Sequence, residues 1–291
     1  QPPLPWCEYC VGGRSQHDQH RLLEKSDEDD GVSVPKISID YCFMGNANTK
    51  AAHNPILVAI DNKSKSIGAW QTYVKGAVDW VATDVANWIG ALGYGQVQIV
   101  IKSDNENSIM AMKQMISQKR SAPTVPMEGP ARESKCNGTM EARVKSWQAQ
   151  FRTMFLDFQK CIGEKVDLHD NIVSWLVNWA AVSLNKYKMD KAGRTSYHRV
   201  TGGVHRKPIA KFGERIWWIP NGPRNPGTKA ESHVQEGMFL GLRNQTVEAL
   251  IGVRNGITSA RTIRRMPMDK RWSSELIKEL KLSVGGNLNY G

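Results

Sequence analysis

One stretch of the sequence, VQIVIKSDNENS at positions 97–108, constrains the fold most. Its apolar residues at 97 and 99–101 follow the pattern of a strand that is buried on both faces. The strand is predicted to end at Ser103-Asp104-Asn105, residue types that favour turns and helix N-caps, and apolar residues at helical spacing follow. In open α/β sheets, ligands bind where the carboxyl ends of strands meet helix N-termini. Asp104 therefore either binds a ligand at this edge or merely caps the helix.

Other runs along the chain predict the rest of the sheet. KISIDYCFM at 36–44, ILVAID at 56–61 and SIGAWQTYV at 66–74 read as strands. Their connections are short, so we expect an antiparallel meander. A helix is predicted over 77–92 and a last strand at 123–127. Together these elements predict an α/β fold with a mixed five-stranded sheet and flanking helices.

Two long helices are predicted after a polar, glycine-containing loop at 128–138. The first begins at Thr139 and carries one apolar stripe. The stripe consists of Val144, Trp147, Phe151, Met154, Phe155, Phe158 and Ile162. Glu141 lies three residues before Val144, so we expect it to start this stripe and to point inward, where an unpartnered carboxylate is costly. The second helix, at 171–184, is apolar nearly all round and is predicted to be buried.

Three carboxylates, those of Asp40, Asp104 and Glu141, are placed alike at the ends of predicted core elements. If they converge, their mutual repulsion requires cations, and hard oxygen ligands select Mg²⁺ or Mn²⁺. Two such ions would activate a water or a 3′-hydroxyl and stabilise the leaving oxygen of a phosphodiester. The sequence therefore predicts a metal-dependent phosphodiester chemistry.

The chain is basic, with a formal net charge of +11 and a pI of about 9.4, which indicates a polyanionic partner. Segment 191–225 holds eight Lys or Arg residues against the single acid Glu214. These basic flanks would hold a nucleic-acid backbone. Short strand-like runs separated by Gly, Asn and Pro follow, and they predict a small β-barrel.

The amino-terminal region contains a Cys7-x-x-Cys10 pair, followed by His17 and His20. A CxxC pair is a common half of a zinc site. The other half would be these histidines or a pair upstream of Gln1, and the alternative is two free thiols in a loop. The acidic run EKSDEDD at 24–30 reads as a solvated linker.

The lengths of the apolar runs, the cysteines and the amino terminus narrow the class of protein further. No apolar run approaches the ~20 residues that span a bilayer, so no membrane partner is expected. Five scattered cysteines disfavour a disulfide framework and favour a reducing compartment. The start at Gln1, without a signal peptide, indicates a segment of a longer protein.

Several motifs resemble the integrase catalytic core of retroviruses and copia-type retrotransposons. This family comprises D,D-E polynucleotidyl transferases with an RNase H-like fold. The matching segments are IDYCFM, IKSDNENS and NGTMEARVKSWQAQFRTM. The 36 residues between Asp104 and Glu141, and Asn137-Gly138 just before the glutamate, fit the family pattern. Further matches are CEYCVGGR, GRTSYHRVTG, FGERIWW, MFLGL and SARTIRRMP, so the resemblance covers nearly the whole chain.

The resemblance implies that Asp40, Asp104 and Glu141 are the catalytic metal ligands of a retrotransposon integrase. It also implies that Lys145, one turn after Glu141, contacts DNA ends. Further DNA-binding residues are expected at Lys135, Arg194, Arg206 and Lys207. The expected partners are double-stranded DNA and further copies of the chain, and the expected site of action is the nucleus, after cytoplasmic synthesis.

The predicted organisation has five segments. These are the end of a zinc-binding segment with an acidic linker (1–34), an RNase H-like catalytic core (35–190), a basic connector (191–211), a small β module (212–270) and a tail (271–291).

Two alternative functions remain open at the level of sequence. One is an RNase H-like nuclease that only hydrolyses its substrate. The other is a decayed, non-catalytic remnant that still folds and binds DNA. The intact carboxylates argue against decay, and a strand-transfer assay with DNA ends would separate the possibilities.

Overall fold

The computed structural model describes residues 34–45, 54–128, 138–205, 210–220, 232–244, 246 and 248–282. They belong to one compact unit, Val34–Gly291. The predicted zinc ligands Cys7 and Cys10 and the predicted DNA-binding residues Lys135, Arg206 and Lys207 lie outside the described residues.

The first sheet is mixed and five-stranded, as the sequence predicts. Its strands are β1 (Lys36–Cys42), β2 (Ile56–Asp61), β3 (Ile67–Gln71), β4 (Ile99–Ser103) and β5 (Thr124–Glu128), in the order β3-β2-β1-β4-β5. β1, β2 and β3 form the predicted antiparallel meander, whereas β4 runs parallel to both β1 and β5. The carboxyl ends of β1, β3 and β4 therefore lie at the same edge of the sheet.

Four helices cover this sheet. They are α1 (Asp79–Ile89), α2 (Asn107–Lys119), α3 (Gly138–Ile162) and α4 (Asn171–Tyr187). α1 runs on into a wider π-helical turn at Gly90–Tyr94. Gly93 takes a φ of 92° there, a conformation that glycine adopts without steric cost. The predicted helices are confirmed, with bounds that differ by a few residues at their ends.

The alternation of side chains along β1 divides the core into two layers. Ile37, Ile39 and Tyr41 are buried in one cluster together with residues of α1 and α2. Cys42, on the opposite face, belongs to a second cluster with residues of α3 and α4. Because Asp40 alternates with Ile39 and Tyr41, it faces the α3 and α4 side of the sheet.

Helix α4 is the centre of the second layer, because it packs against both β3 and the following sheet. It is buried on most of its surface, as its nearly continuous apolar sequence predicts. Asp170 caps its first turn by accepting a hydrogen bond from the Ile172 amide. At its other end, the Asn185 side chain forms hydrogen bonds with both the amide and the carbonyl of Ile67, at 2.8 Å and 2.7 Å.

The carboxyl-terminal region forms a second, antiparallel sheet. Its strands are β6 (Arg215–Trp218), β7 (Gln235–Leu242), β8 (Ala249–Val253), β9 (Gly256–Ala260) and β10 (Ile263–Arg265), in the order β10-β6-β7-β8-β9. The expected barrel-like module is thus a five-stranded sheet. Its inner residues share the apolar cluster of α4, including an edge-to-face contact between Trp179 and Phe239.

Three short helical segments complete the description. They are α5 (Ser196–Thr201), a 3₁₀ turn (Met268–Lys270) and α6 (Ser274–Glu279). Among the residues described, no helix combines the length and the hydropathy that crossing a bilayer requires.

Candidate active site at the carboxyl edge of the first sheet

Asp40 and Asp104 lie side by side at the carboxyl edge of the first sheet. β1 and β4 are paired in parallel, with Lys36 opposite Val100. Asp40 lies four residues after Lys36, and Asp104 lies four residues after Val100. The observed pairing ends at Ser38 and Lys102, and its continuation along the chain places Asp104 near Asp40. Consistent with this, the charge of Asp104 acts on the Asp40 carboxyl. The N-cap position of α2 is Glu106, so the alternative that Asp104 caps this helix is wrong.

Burial and neighbouring acids disfavour the charged form of Asp40. The side chain is half-buried, and burial is the main cause that raises the pKa of its carboxyl. A hydrogen bond of 2.8 Å from the Tyr41 amide opposes this shift, whereas the charges of Asp104 and Glu106 add to it. The charge of Lys75 opposes the shift as well. Because burial disfavours the charged carboxylate, a cation bound beside it would stabilise that form.

Lys75 and Glu106 are two charged residues at this edge that the sequence analysis did not identify. The Lys75 ammonium donates hydrogen bonds to both oxygens of the Glu106 carboxylate, at 2.8 Å and 3.0 Å. With a further hydrogen bond from Ser108, this contact lowers the pKa of Glu106. The meander carries the signal for Lys75, because β3 is parallel to β1 and its carboxyl end lies at the same edge.

Aromatic rings line the same edge. The Lys75 ammonium lies 5.6 Å from the centre of the Tyr41 ring and 5.3 Å from that of Phe43, within the range of cation–π attraction. The Tyr41 hydroxyl is 3.2 Å from both the amide and the carbonyl of Gly76, which fixes the segment that carries Lys75. Phe43 is 42% exposed, so its ring is open to a ligand.

Glu141 lies on the first turn of α3, but its predicted orientation is wrong. The side chain is exposed, and the buried face of this turn is formed by Met140 and Val144. The apolar stripe therefore begins at Met140, one residue before Glu141. Consecutive helical residues are about 100° apart around the axis, so Glu141 lies on the flank of the buried stripe.

The first turns of α3 are held beside the end of α4. Lys188, just after α4, donates a 2.7 Å hydrogen bond to the hydroxyl of Ser146, and Gln150 donates one of 3.2 Å to Ser183. Among the described residues, no group of three or more His, Cys, Asp or Glu side chains is placed to hold a metal ion. The structure thus brings together Asp40 and Asp104, and it does not bring Glu141 into a ligand group with them.

The donor set at this edge suits a hard divalent cation. Asp40 and Asp104 offer carboxylate oxygens, the ligand type that Mg²⁺ and Mn²⁺ prefer. The buried thiol of Cys42 is the nearest soft donor in sequence, but burial and the charge of Asp40 raise its pKa to about 12, which disfavours the thiolate form that binds metals. The carboxylate pair therefore fits a hard cation better than a soft one.

Two predicted DNA-binding residues lie within the described part of the chain. Lys145 is exposed on α3, on the same flank as Glu141. Arg194 is exposed in the turn between α4 and α5.

The fold and this edge define a class of protein: an α/β protein with a carboxylate pair at the carboxyl edge of a mixed five-stranded sheet. Among solved structures, the chain is similar to a simian T-cell lymphotropic virus intasome, with 13% identity and a TM-score of 0.40 over 80% of this chain and 81% of that chain. It is similar to the catalytic core domain of BIV integrase, with 17% identity and a TM-score of 0.38 over 57% and 93% of the two chains. The HTLV-2 integrase core in complex with magnesium matches with 13% identity and a TM-score of 0.39 over 57% and 95%.

No protein-family model matches the chain, and the comparison with curated proteins gives no match.

Proposed function

We propose that this chain is the integrase of a copia-type retrotransposon, an enzyme that processes DNA 3′ ends and joins them to target DNA. The observation that carries the proposal is the register of β1 and β4, which sets Asp40 beside Asp104 at the carboxyl edge of a mixed sheet. The raised pKa of Asp40 supports a role for this pair in cation binding. The sequence motifs around both aspartates and Glu141 resemble those of the integrase family.

Asp40, Asp104 and Glu141 are the residues proposed to hold the metal ions. When bound, two Mg²⁺ or Mn²⁺ ions would activate the attacking water or 3′-hydroxyl and stabilise the leaving oxygen. The work of the protein is to fix the carboxylate oxygens and to position the phosphodiester beside them. Rigid strands position Asp40 and Asp104, whereas the first turn of a helix positions Glu141.

Glu141 is the proposed third metal ligand, after Asp40 and Asp104. It is exposed, and a carboxylate on the first turn of a helix is favoured by the positive end of the helix dipole. Glu141 would hold the metal ions together with the aspartate pair. The neighbouring charges Lys75 and Glu106 form an ion pair of 2.8 Å at the same edge.

Positive residues would hold the DNA. We assign this role to Lys145 and Arg194, together with Lys135, Arg206 and Lys207 outside the described residues. A net charge of +11 supports binding to a polyanion. The same proposal includes an oligomer of the chain on DNA, action in the nucleus, and a zinc ion at Cys7 and Cys10.

A strand-transfer assay tests the proposal. The purified protein is incubated with labelled duplex ends, target plasmid and Mg²⁺, with a parallel reaction in excess chelator. We expect joined products in Mg²⁺ and none in chelator. Cleaved ends without joined products would favour a nuclease that only hydrolyses, and DNA binding without either product would favour a non-catalytic remnant.

A further inference from the structure

A basic cleft lies between α3, the end of α4 and the turn that joins β2 to β3. Its volume is about 260 Å³. α3 contributes Ala142, Arg143 and Ser146, and the β2–β3 turn contributes Lys65. The remaining wall is formed by the end of α4 and the following segment to Arg199. The hydrogen bond from Lys188 to Ser146 joins the two walls.

The charge of this cleft is strongly one-sided. Its lining includes Lys65, Arg143, Lys188, Arg194 and Arg199, and Asp190 is the only acid among the described lining residues. Five cations from three segments of the chain therefore converge on one opening.

Asp190 compensates the charge of only one of these cations, Arg199. It forms an ion pair with Arg199 and accepts backbone hydrogen bonds from Ala192 and Arg194, at 2.8 Å and 2.9 Å. These contacts lower the pKa of Asp190 to about 2 and shape the turn that carries Arg194. Arg143 and Arg194 themselves form no ion pair with a described acidic residue.

The cleft lies apart from the face of α3 that carries the proposed metal ligand. Arg143 is two residues after Glu141, which separates their directions by about 160° around the helix axis. Glu141 and Lys145 share one flank of the buried stripe, whereas Arg143 lies towards the other flank. A molecule in the cleft would therefore contact α3 from the side opposite Glu141.

We propose that this cleft binds consecutive phosphates of the backbone of duplex DNA, as a second contact apart from the carboxylate edge. The proposal rests on the proposed function, since it names where that enzyme holds its DNA. Arginine and lysine side chains on a concave surface match phosphate oxygens. Among the described lining residues none is aromatic, so the cleft lacks a ring on which an unpaired base could stack. Contacts of this kind give affinity without sequence preference.

The salt dependence of DNA binding tests the cleft. Binding of a labelled duplex to the full chain is measured by fluorescence anisotropy over a range of salt concentrations, for wild type and for the double variant Arg143→Ala/Arg194→Ala. Two lost phosphate contacts should reduce the slope of log K against log salt by about 2. Affinity at low salt should fall on the order of tenfold.

A matched control is available on the same helix. Arg152→Ala/Lys160→Ala removes two exposed cations of α3 outside the cleft and should leave the slope within about 0.5 of wild type. Thermal unfolding of each variant shows that it is folded. Arginine footprinting of the unaltered protein with phenylglyoxal gives a second measurement, in which duplex DNA should protect Arg143 and Arg194 but not Arg152.

The outcomes separate this inference from the proposed function. An unchanged slope in the cleft variant, an equal loss in both double variants, or no protection of Arg143 and Arg194 would overturn the cleft assignment. So would a wild-type protein that binds no duplex. Wild-type protein that shows the expected slope and protection but joins no DNA ends would contradict the proposed function and support the cleft.

Discussion

Two carboxylates, one on each sheet, have opposite surroundings. Glu214, at the start of the second sheet, has no exposed side-chain surface and is fully paired. Arg265 donates to both of its oxygens, at 2.7 Å and 2.9 Å, and the Lys211 amide donates a third hydrogen bond of 2.9 Å. Arg271 approaches to 3.5 Å. Asp40, on the first sheet, is half-buried beside two further acids.

The difference shows how a structural carboxylate differs from one that is available to a ligand. Glu214 ties together Lys211, Arg265 and Arg271 from three segments, and its contact raises the pKa of Arg265. Its pairing leaves no oxygen for another partner. At Asp40, by contrast, burial raises the pKa, and nearby acids add to the shift while Lys75 opposes it, so a bound cation would stabilise the charged carboxylate.

The largest effect is expected at the proposed active site. Glu141→Gln removes the proposed third ligand, and we expect both 3′ cleavage and strand transfer to fall at least about a thousandfold. Folding and DNA binding should persist, because the side chain is exposed. The assays are strand transfer, anisotropy and thermal unfolding.

Glu133→Gln is the control for this prediction. Glu133 belongs to the segment between β5 and α3, outside the described residues, and it lies closer in sequence to Asp104 than the family pattern expects. This variant should keep most of the activity. Full activity in Glu141→Gln together with an inactive Glu133→Gln would move the proposed ligand from the helix into that segment.

The next largest effect concerns the paired carboxylate. Glu214→Gln removes the charge that two arginines face, and breaking a buried ion pair in this way should lower the free energy of unfolding by about 3–5 kcal/mol. Chemical denaturation at neutral pH measures the loss.

The neighbouring strand β7 supplies the matched control. Glu236 pairs with Arg215 at 2.8 Å, but its side chain is 59% exposed. Glu236→Gln should therefore change stability by less than about 1 kcal/mol. Equal losses in the two variants would show that burial does not distinguish the pairs.

The sequence predicts the elements of this fold better than the directions of its charged side chains. The strands, the meander and α4 are strongly patterned, because burial on one or both faces dictates their apolar residues. For Glu141, counting back from Val144 gave the wrong face, because Met140 fits the same stripe and only packing decides where the stripe begins. The predicted meander is enough to place Lys75 at this edge, but its contact with Glu106 arises only through tertiary structure.

A smaller effect is expected at the aspartate pair. The carboxyl of Asp40 has a raised pKa in the folded state, so its negative charge opposes folding at pH values above the usual pKa of an aspartate. Asp40→Asn removes this charge. In chelator, we expect the variant to melt at a higher temperature than wild type, by about 2 °C. Mg²⁺ should stabilise the wild type and not the variant. The difference between their melting temperatures should then be cancelled or reversed. A variant that melts lower than wild type in chelator would contradict a destabilising effect of the Asp40 charge.

An effect of similar size should show whether burial alone, without neighbouring acids, produces the same kind of penalty. Asp84 is half-buried on α1, and burial raises its pKa from 3.8 to about 7. Between these values the folded state binds the proton that the unfolded state has released, so stability falls as the pH rises through this window. Asp84→Asn should therefore raise the melting temperature at pH 8 by on the order of 3 °C and have little effect at pH 4.

Asp269→Asn, at an exposed position of the 3₁₀ turn, is the control and should have a small effect at both pH values. If Asp84→Asn gives the same gain at both pH values, its effect does not come from a buried charge. Burial raises the pKa of Asp84, whereas burial and the charges of Asp104 and Glu106 raise that of Asp40. The neighbouring acids would then be the feature that distinguishes Asp40.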